Sequence, residues 1–173
     1  MSQKIWAVVI GFLCLIIGYA SLQTWEVQGG VAGKAVPLIS QSFASTRIRP
    51  GETWKVYLNA SDPSGEMKNF FAIINQPGVG QYPLSTIRIK KENRKELSGY
   101  LYLNTSTPVY PLNFVNLTLS VQVQDRSGNF GEPVVFSLSI NSQFTQEDPP
   151  QGIFKEEALG PVMVRLKTVA GKH

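Results

Sequence analysis

Side chains that carry chemistry are scarce in this chain. Its 173 residues include one cysteine, Cys14, and one histidine, His173, at the last position. Cys14 sits inside an apolar run, so the rest of the chain has no thiol to pair, to oxidise or to offer a metal, and disulfides play no part in its stability. Histidine–nucleophile catalysis lacks its usual base, no Gly-rich phosphate loop is present, and no His–Cys cluster exists. An Asp62–Asp125 dyad or a Ser–Lys pair finds no supporting local context. The chain reads as a non-enzyme without a resident cofactor or small-molecule substrate. Charge is sparse too: 16% of residues are charged, and 16 Lys and Arg against 12 Asp and Glu leave a net charge of +4. Without a concentrated basic face, that excess does not point to nucleic acid.

What the chain does have is one domain's worth of length, 43% hydrophobic residues, 15 glycines and 11 prolines. Short strands joined by turns fit this balance better than long helices.

The run from Ile5 to Leu22 is uncharged, lies after Lys4 and precedes Glu26. As a helix it would rise about 27 Å, slightly short of the roughly 30 Å hydrocarbon core. Trp6, Tyr19 and Trp25 lie near its ends, as interfacial aromatics do. A cleaved signal peptide competes with the anchor, because Gly18-Tyr19-Ala20 offers small residues where a signal peptidase inspects. Phe12 and Leu13 before Cys14 do not match a lipoprotein signal. Either surviving alternative exports the rest of the chain, with the positive flank kept in the cytoplasm. The expected location is therefore a single pass through the cytoplasmic (inner) membrane, via Ile5–Leu22, with the domain on the periplasmic or extracellular side; the alternative is secretion after cleavage.

Beyond a Gly-rich linker, residues 26–37, the pattern becomes period-2 alternation broken by turn residues. Strands are expected over Leu38–Thr46, Trp54–Ala60, Asn69–Asn75, Thr86–Lys91, Leu97–Leu103, Val115–Gln124 and Val134–Ile140. Between Val115 and Gln124 the valines and leucines alternate without a fault with polar residues, which no helix could use. The fold class expected is all-β: a seven- to eight-strand antiparallel sandwich over residues 38–141, preceded by one apolar helix within residues 1–25.

The run VQVQDRSGNFGEPVVFSLSI resembles the closing hairpin of bacterial immunoglobulin-like and cadherin-like modules, and LNASDPSGEMKNFFAII resembles their second and third strands. The chain departs from antibody domains in lacking paired cysteines, and from fibronectin type III modules in lacking a clear tyrosine corner. The resemblance implies that the turns Asp62–Glu66, Lys91–Lys95 and Asp125–Asn129 gather at one pole, near the N-terminus.

That placement creates two candidate sites. Asp62, Glu66, Asp125 and Asn129 are oxygen ligands of the kind calcium takes, although a site needs six or more oxygens and the basic turn opposes it. The plainer alternative, that Asp, Asn and Gly simply build the turns, is the one we favour. Arg88, Lys90, Lys91, Arg94 and Lys95 form a basic patch for an acidic partner or an anionic lipid surface, or else a solvated edge protected from aggregation by its charge. At the opposite pole Tyr82, Tyr110 and Phe114 make either an adhesive apolar tip or a lid on the core.

Residues 142–173 read as a linker, Glu147-Asp148-Pro149-Pro150-Gln151-Gly152, and an extra strand in which Val162, Val164 and Leu166 alternate with Met163, Arg165 and Lys167. That strand either closes the domain's own sheet or adds to a partner's. The function expected is a non-catalytic, membrane-tethered accessory subunit that binds or stabilises an envelope protein complex. The alternative is a secreted or surface adhesion module that binds protein or carbohydrate through its loops.

Overall fold

The computed structural model describes residues 36–106 and 112–167. The expected membrane segment Ile5–Leu22, Cys14, Tyr110 and His173 lie outside the described residues. No helix among the described residues is long and apolar enough to cross a membrane.

Two sheets share one core. The first contains β1 (Leu38–Ala44), β3 (Thr53–Ser61), β7 (Glu96–Asn104) and β10 (Ala158–Pro161), in the order β1-β3-β7-β10. The second has the order β2-β9-β8-β4-β5, from β2 (Arg47–Ile48), β9 (Val134–Ile140), β8 (Val115–Asp125), β4 (Met67–Gln76) and β5 (Gly80–Gln81), and β6 (Ser85–Arg88) also pairs with β4. A 3-10 turn, Lys91–Asn93, comes after β6.

The alternation dictates the packing. Along β8 every odd-numbered residue from Val115 to Val123 is buried, and Trp54, Val56, Leu58 and Ala60 of β3 meet them from the facing sheet. Each buried Leu, Val, Ile or Phe side chain contributes about 1.5–3 kcal/mol, and the core needs no cross-link. The chain changes sheets between β1 and β2. There Ser45 is buried, its hydroxyl donating to the Arg47 carbonyl at 2.7 Å, and the Trp54 indole donates to the Ser45 carbonyl at 2.8 Å. Without these bonds, the sheet change would bury orphaned polar groups.

Three expectations need correction. The strand expected over Leu38–Thr46 ends at Ala44, where the chain changes sheets, and an unexpected short strand, β2, follows at Arg47–Ile48. The sandwich is not purely antiparallel, since β2 pairs with β9 and β10 with β7 in parallel. Finally, the extra strand is Ala158–Pro161 and not Val162–Lys167. Residues 162–167 lack strand pairing, yet Val162 and Leu166 are buried and Val164 packs against the same core. Their alternation reflects an inward-facing stripe on irregular backbone.

Candidate functional site

The three polar turns do meet, joined by backbone hydrogen bonds. Asp62 N–H donates to the Lys95 carbonyl at 2.9 Å, Met67 N–H to the Arg94 carbonyl at 3.1 Å, and Arg126 N–H to the Glu66 carbonyl at 2.9 Å. Asp62 is fully buried, and its carboxylate accepts from the Ser64 N–H and hydroxyl and, at 3.0 Å, from the Glu66 N–H. Asp125, also buried, accepts from the Asn129 N–H at 2.8 Å and from the Asn129 amide. Both carboxylates thus spend lone pairs on their own turns, in the manner of Asx turns. Glu66 is drawn outward to Arg126, 3.3 Å away. Among the described residues no group of three or more His, Cys, Asp and Glu is arranged to hold a metal ion.

The basic patch is looser. Arg88, Lys90, Lys91 and Lys95 are exposed, while Arg94 is half-buried and its Nε is buried without an acceptor among the described residues. Glu157 faces the patch, 3.9 Å from Lys90 Nζ, and offsets part of its charge.

At the other pole the two described aromatics, Tyr82 and Phe114, part company. Tyr82 is buried, its hydroxyl donating to the Gln76 amide oxygen and accepting from the Lys167 N–H at 2.9 Å, so it is a lid. Phe114 is 79% exposed and holds φ at +59°, an uncommon conformation for an aromatic residue.

The largest departure from a bare sandwich is residues 142–157. Read from sequence as a linker, they form a strap. Glu147 N–H bonds the Ser45 hydroxyl, the Ile153 carbonyl accepts from the Asn59 amide at 3.0 Å, and Lys155 N–H donates to the Ser98 hydroxyl at 2.9 Å. Beneath them the outer face of the first sheet is laid out in rows by its register. Phe43, Tyr57 and Tyr100 make an aromatic row, and Gln41, Asn59 and Ser98 an amide row beside it. Phe154 packs on Tyr57 with ring centroids 5.7 Å apart.

At the centre of the strap Glu156 accepts from Lys55 Nζ at 2.8 Å and from the Tyr57 hydroxyl at 2.6 Å. These bonds hold the Glu156 carboxyl below the usual carboxylate value, the Lys55 bond being the larger cause, and the same bond raises Lys55. Burial, with the Glu156 hydrogen bond second, pushes the Tyr57 phenol up to about 12. Lys55 also lies 4.5 Å from the Tyr100 ring centre, a cation–π contact. Gly99 is required here. A Cβ on it would stand 2.4 Å from the Glu157 carbonyl oxygen, which instead accepts from the Tyr100 N–H at 2.8 Å.

Where the strap crosses this face it leaves a groove of about 520 Å³, open to solvent, lined by Gln41, Asn59, Glu96, Ser98, Phe154 and Lys155 among others. The Asn59 amide nitrogen is committed to Gln41 Oε1 at 2.7 Å and to the Ile153 carbonyl, while Asn59 Oδ1 is buried with no hydrogen-bond partner among the described residues. Sequence reasoning missed this groove. Its only signal was the polar character of the outward residues on β3 and β7.

The second sheet's outer face is more open. Register places Ile73, Ser120 and Val135 in one row and Phe71 and Gln122 in the next, with Phe130 packed on Phe71 at 5.4 Å. Val135 is 62% exposed.

No family model matches the chain, and no curated protein matches it. Among solved structures, the CARDB domain of a Pyrococcus furiosus protein, determined in complex with di-metal ions, is similar over 62% of this chain and 96% of that one, at 7% identity and a TM-score of 0.35. So loose a likeness carries nothing to this chain beyond what its own geometry gives. On that geometry the described residues are all-β, with two mixed sheets around one core.

Proposed function

We propose that this chain is a non-catalytic, membrane-tethered accessory subunit on the outer side of the cytoplasmic membrane, with an immunoglobulin-like sandwich that docks on an envelope protein complex. The observation that carries this reading is the outer face of the second sheet, where Val135 and Phe130 stand exposed beside half-buried Phe71 and Ile73 in a field of Ser, Thr and Gln. Apolar side chains set among uncharged polar ones are the composition of a protein-binding core with a wet rim. The uncharged Ile5–Leu22 run supports a tether. Asp62, Glu66, Asp125 and Asn129 serve as turn builders in this reading, without calcium.

The test is a photo-reactive residue placed at Val135 in the full chain, expressed in its native host, with a second at Ser42 on β1 as control. A discrete cross-linked protein from Val135 in the membrane fraction, absent from the Ser42 sample, supports the docking face. Intact mass of the same fraction reports the tether, since full-length protein retains residues 1–25. Cross-linking that is equal at both positions, or a soluble species that begins near Ser21, overturns the reading in favour of a secreted adhesion module.

A further inference from the structure

We infer that the partner docked on the outer face of the second sheet presents an acidic protein surface, in which a carboxylate meets Arg88 and an apolar side chain seats beside Val135. This inference rests on the docking reading above and names the chemistry of what docks.

The register fixes where charge stands on this face. Arg88 pairs with Asn69, and Asn69 in turn with Gln124, so these residues form the row nearest the polar turns. Two residues further along the strands comes Phe71, and two further again come Ile73 and Val135, joined through Ser120. At about 3.4 Å per residue, Arg88 stands about 7 Å from the Phe71 row and about 14 Å from the Val135 row. Beyond them the rows bring amides and hydroxyls up to Arg47, which ends the face with its guanidinium over the Phe144 ring, 5.4 Å away.

No carboxylate stands in any of these rows. At the rim Glu66 is tied to Arg126, and Glu132 comes just before β9. Glu96 belongs to the first sheet, and Glu147, Asp148, Glu156 and Glu157 to the strap that crosses it. Acid is thus gathered on the covered side of the sandwich. Arg88 is exposed and has no ion-pair partner among the described residues.

That distribution selects the partner. A basic surface would find no carboxylate in the rows, and a neutral one would strip water from Arg88 without supplying a counter-charge. A carboxylate can accept from the guanidinium fork in two parallel bonds, which fixes direction as well as charge. Lipid headgroups are held by clusters of about four or more basic residues, whereas these rows set Arg88 alone among amides that both donate and accept. Such a surface suits another protein.

The experiment extends the Val135 photo-cross-link, with the full chain in membranes of its native host. Arg88→Glu should lower the yield of the cross-linked protein about tenfold at low salt, and added salt should shrink that difference. Thr86→Lys, which adds a cation in the Phe71 row, should raise the yield, a gain that misfolding cannot produce. Lys155→Glu makes the same change of charge on the strap and should leave the yield as it was. A product whose yield ignores both Arg88→Glu and salt, or falls equally in Lys155→Glu, overturns this inference and leaves the docking reading standing. An adduct with the mass of a lipid overturns it in favour of the membrane surface, and the absence of any product at Val135 overturns the docking reading together with it.

Discussion

On the outer face of the first sheet, Tyr57 is 4% exposed and lies under Phe154 and Glu156; on the outer face of the second, Val135 is 62% exposed. Both residues point outward from strands of the same period-2 kind, Tyr57 between Lys55 and Asn59 and Val135 beside Ser120 and Ser137. The difference comes from residues 142–161, which leave β9, cross the first sheet and end as β10 on its edge. Which face of a sandwich is available to a partner is therefore decided here by a segment outside the core strands, and the strap and the open face should respond differently to the same kind of perturbation.

The largest contrast is expected from a charge introduced at each end of the comparison. Leu166→Asp buries a carboxylate in the core beneath the strap's continuation and should lower unfolding free energy by about 3–5 kcal/mol, whereas Val135→Asp on the open face should change it by under about 0.5 kcal/mol. Urea denaturation of both variants measures the difference; equal effects would mean that residues 162–167 are not part of the core. Next in size is Gly99→Ala, whose methyl group meets the Glu157 carbonyl and must push the strap outward, at a cost of about 1–3 kcal/mol. Faster hydrogen exchange should appear at Tyr100 and Val162, which donate across that junction, and not along β8.

Why the strap escaped sequence reasoning is visible in the residues themselves. The strand β8 was legible because five apolar residues alternate without interruption and only one structure uses that period. In contrast, β10 is Ala158-Leu159-Gly160-Pro161, with two residues that normally punctuate chains, and its pairing is supplied wholly by β7, about sixty positions earlier. The apolar alternation of 162–167 pointed to a strand one step too late, because an irregular segment packed on a core shows the same stripe. The polar pole was legible through its Asp, Asn and Gly turns. The groove was not, since Gln41 faces Asn59 only through the register shift between Ile39 and Gln41.

Smaller effects sharpen the comparison through pH. Glu156 is held below its usual value of 4.5, so its contribution is present above that pH and is lost as pH falls through the depressed folded value. Glu156→Gln should remove this acid dependence, with a loss at neutral pH of under about 1 kcal/mol because the pair is well solvated. In the alkaline direction Tyr57 has the opposite sign. Its folded value is raised to about 12 from 10.0, so its contribution is complete below pH 10.0 and disappears as pH rises through about 12. Tyr57→Phe should flatten that limb of the stability profile. Smallest of all is the effect of calcium: with Asp62 and Asp125 engaged by their own turns, millimolar calcium should leave the melting temperature unchanged. A saturable upward shift would show that the turns can reorganise around an ion.

The strap also has a consequence in time. Its bonds join residues about a hundred positions apart, Ser45 with Glu147 and Lys55 with Glu156, while the hairpin of β8 and β9 closes over a short turn. Contacts that close long loops form late, because the chain entropy they remove must be met before they contribute. During synthesis, β3 and β7 would pair and wait, with their tyrosines wet, for a segment that comes after them in the chain. The strap, and the groove it roofs, would then be the last features to mature, and protection of the Tyr100 amide would report that the domain had finished folding.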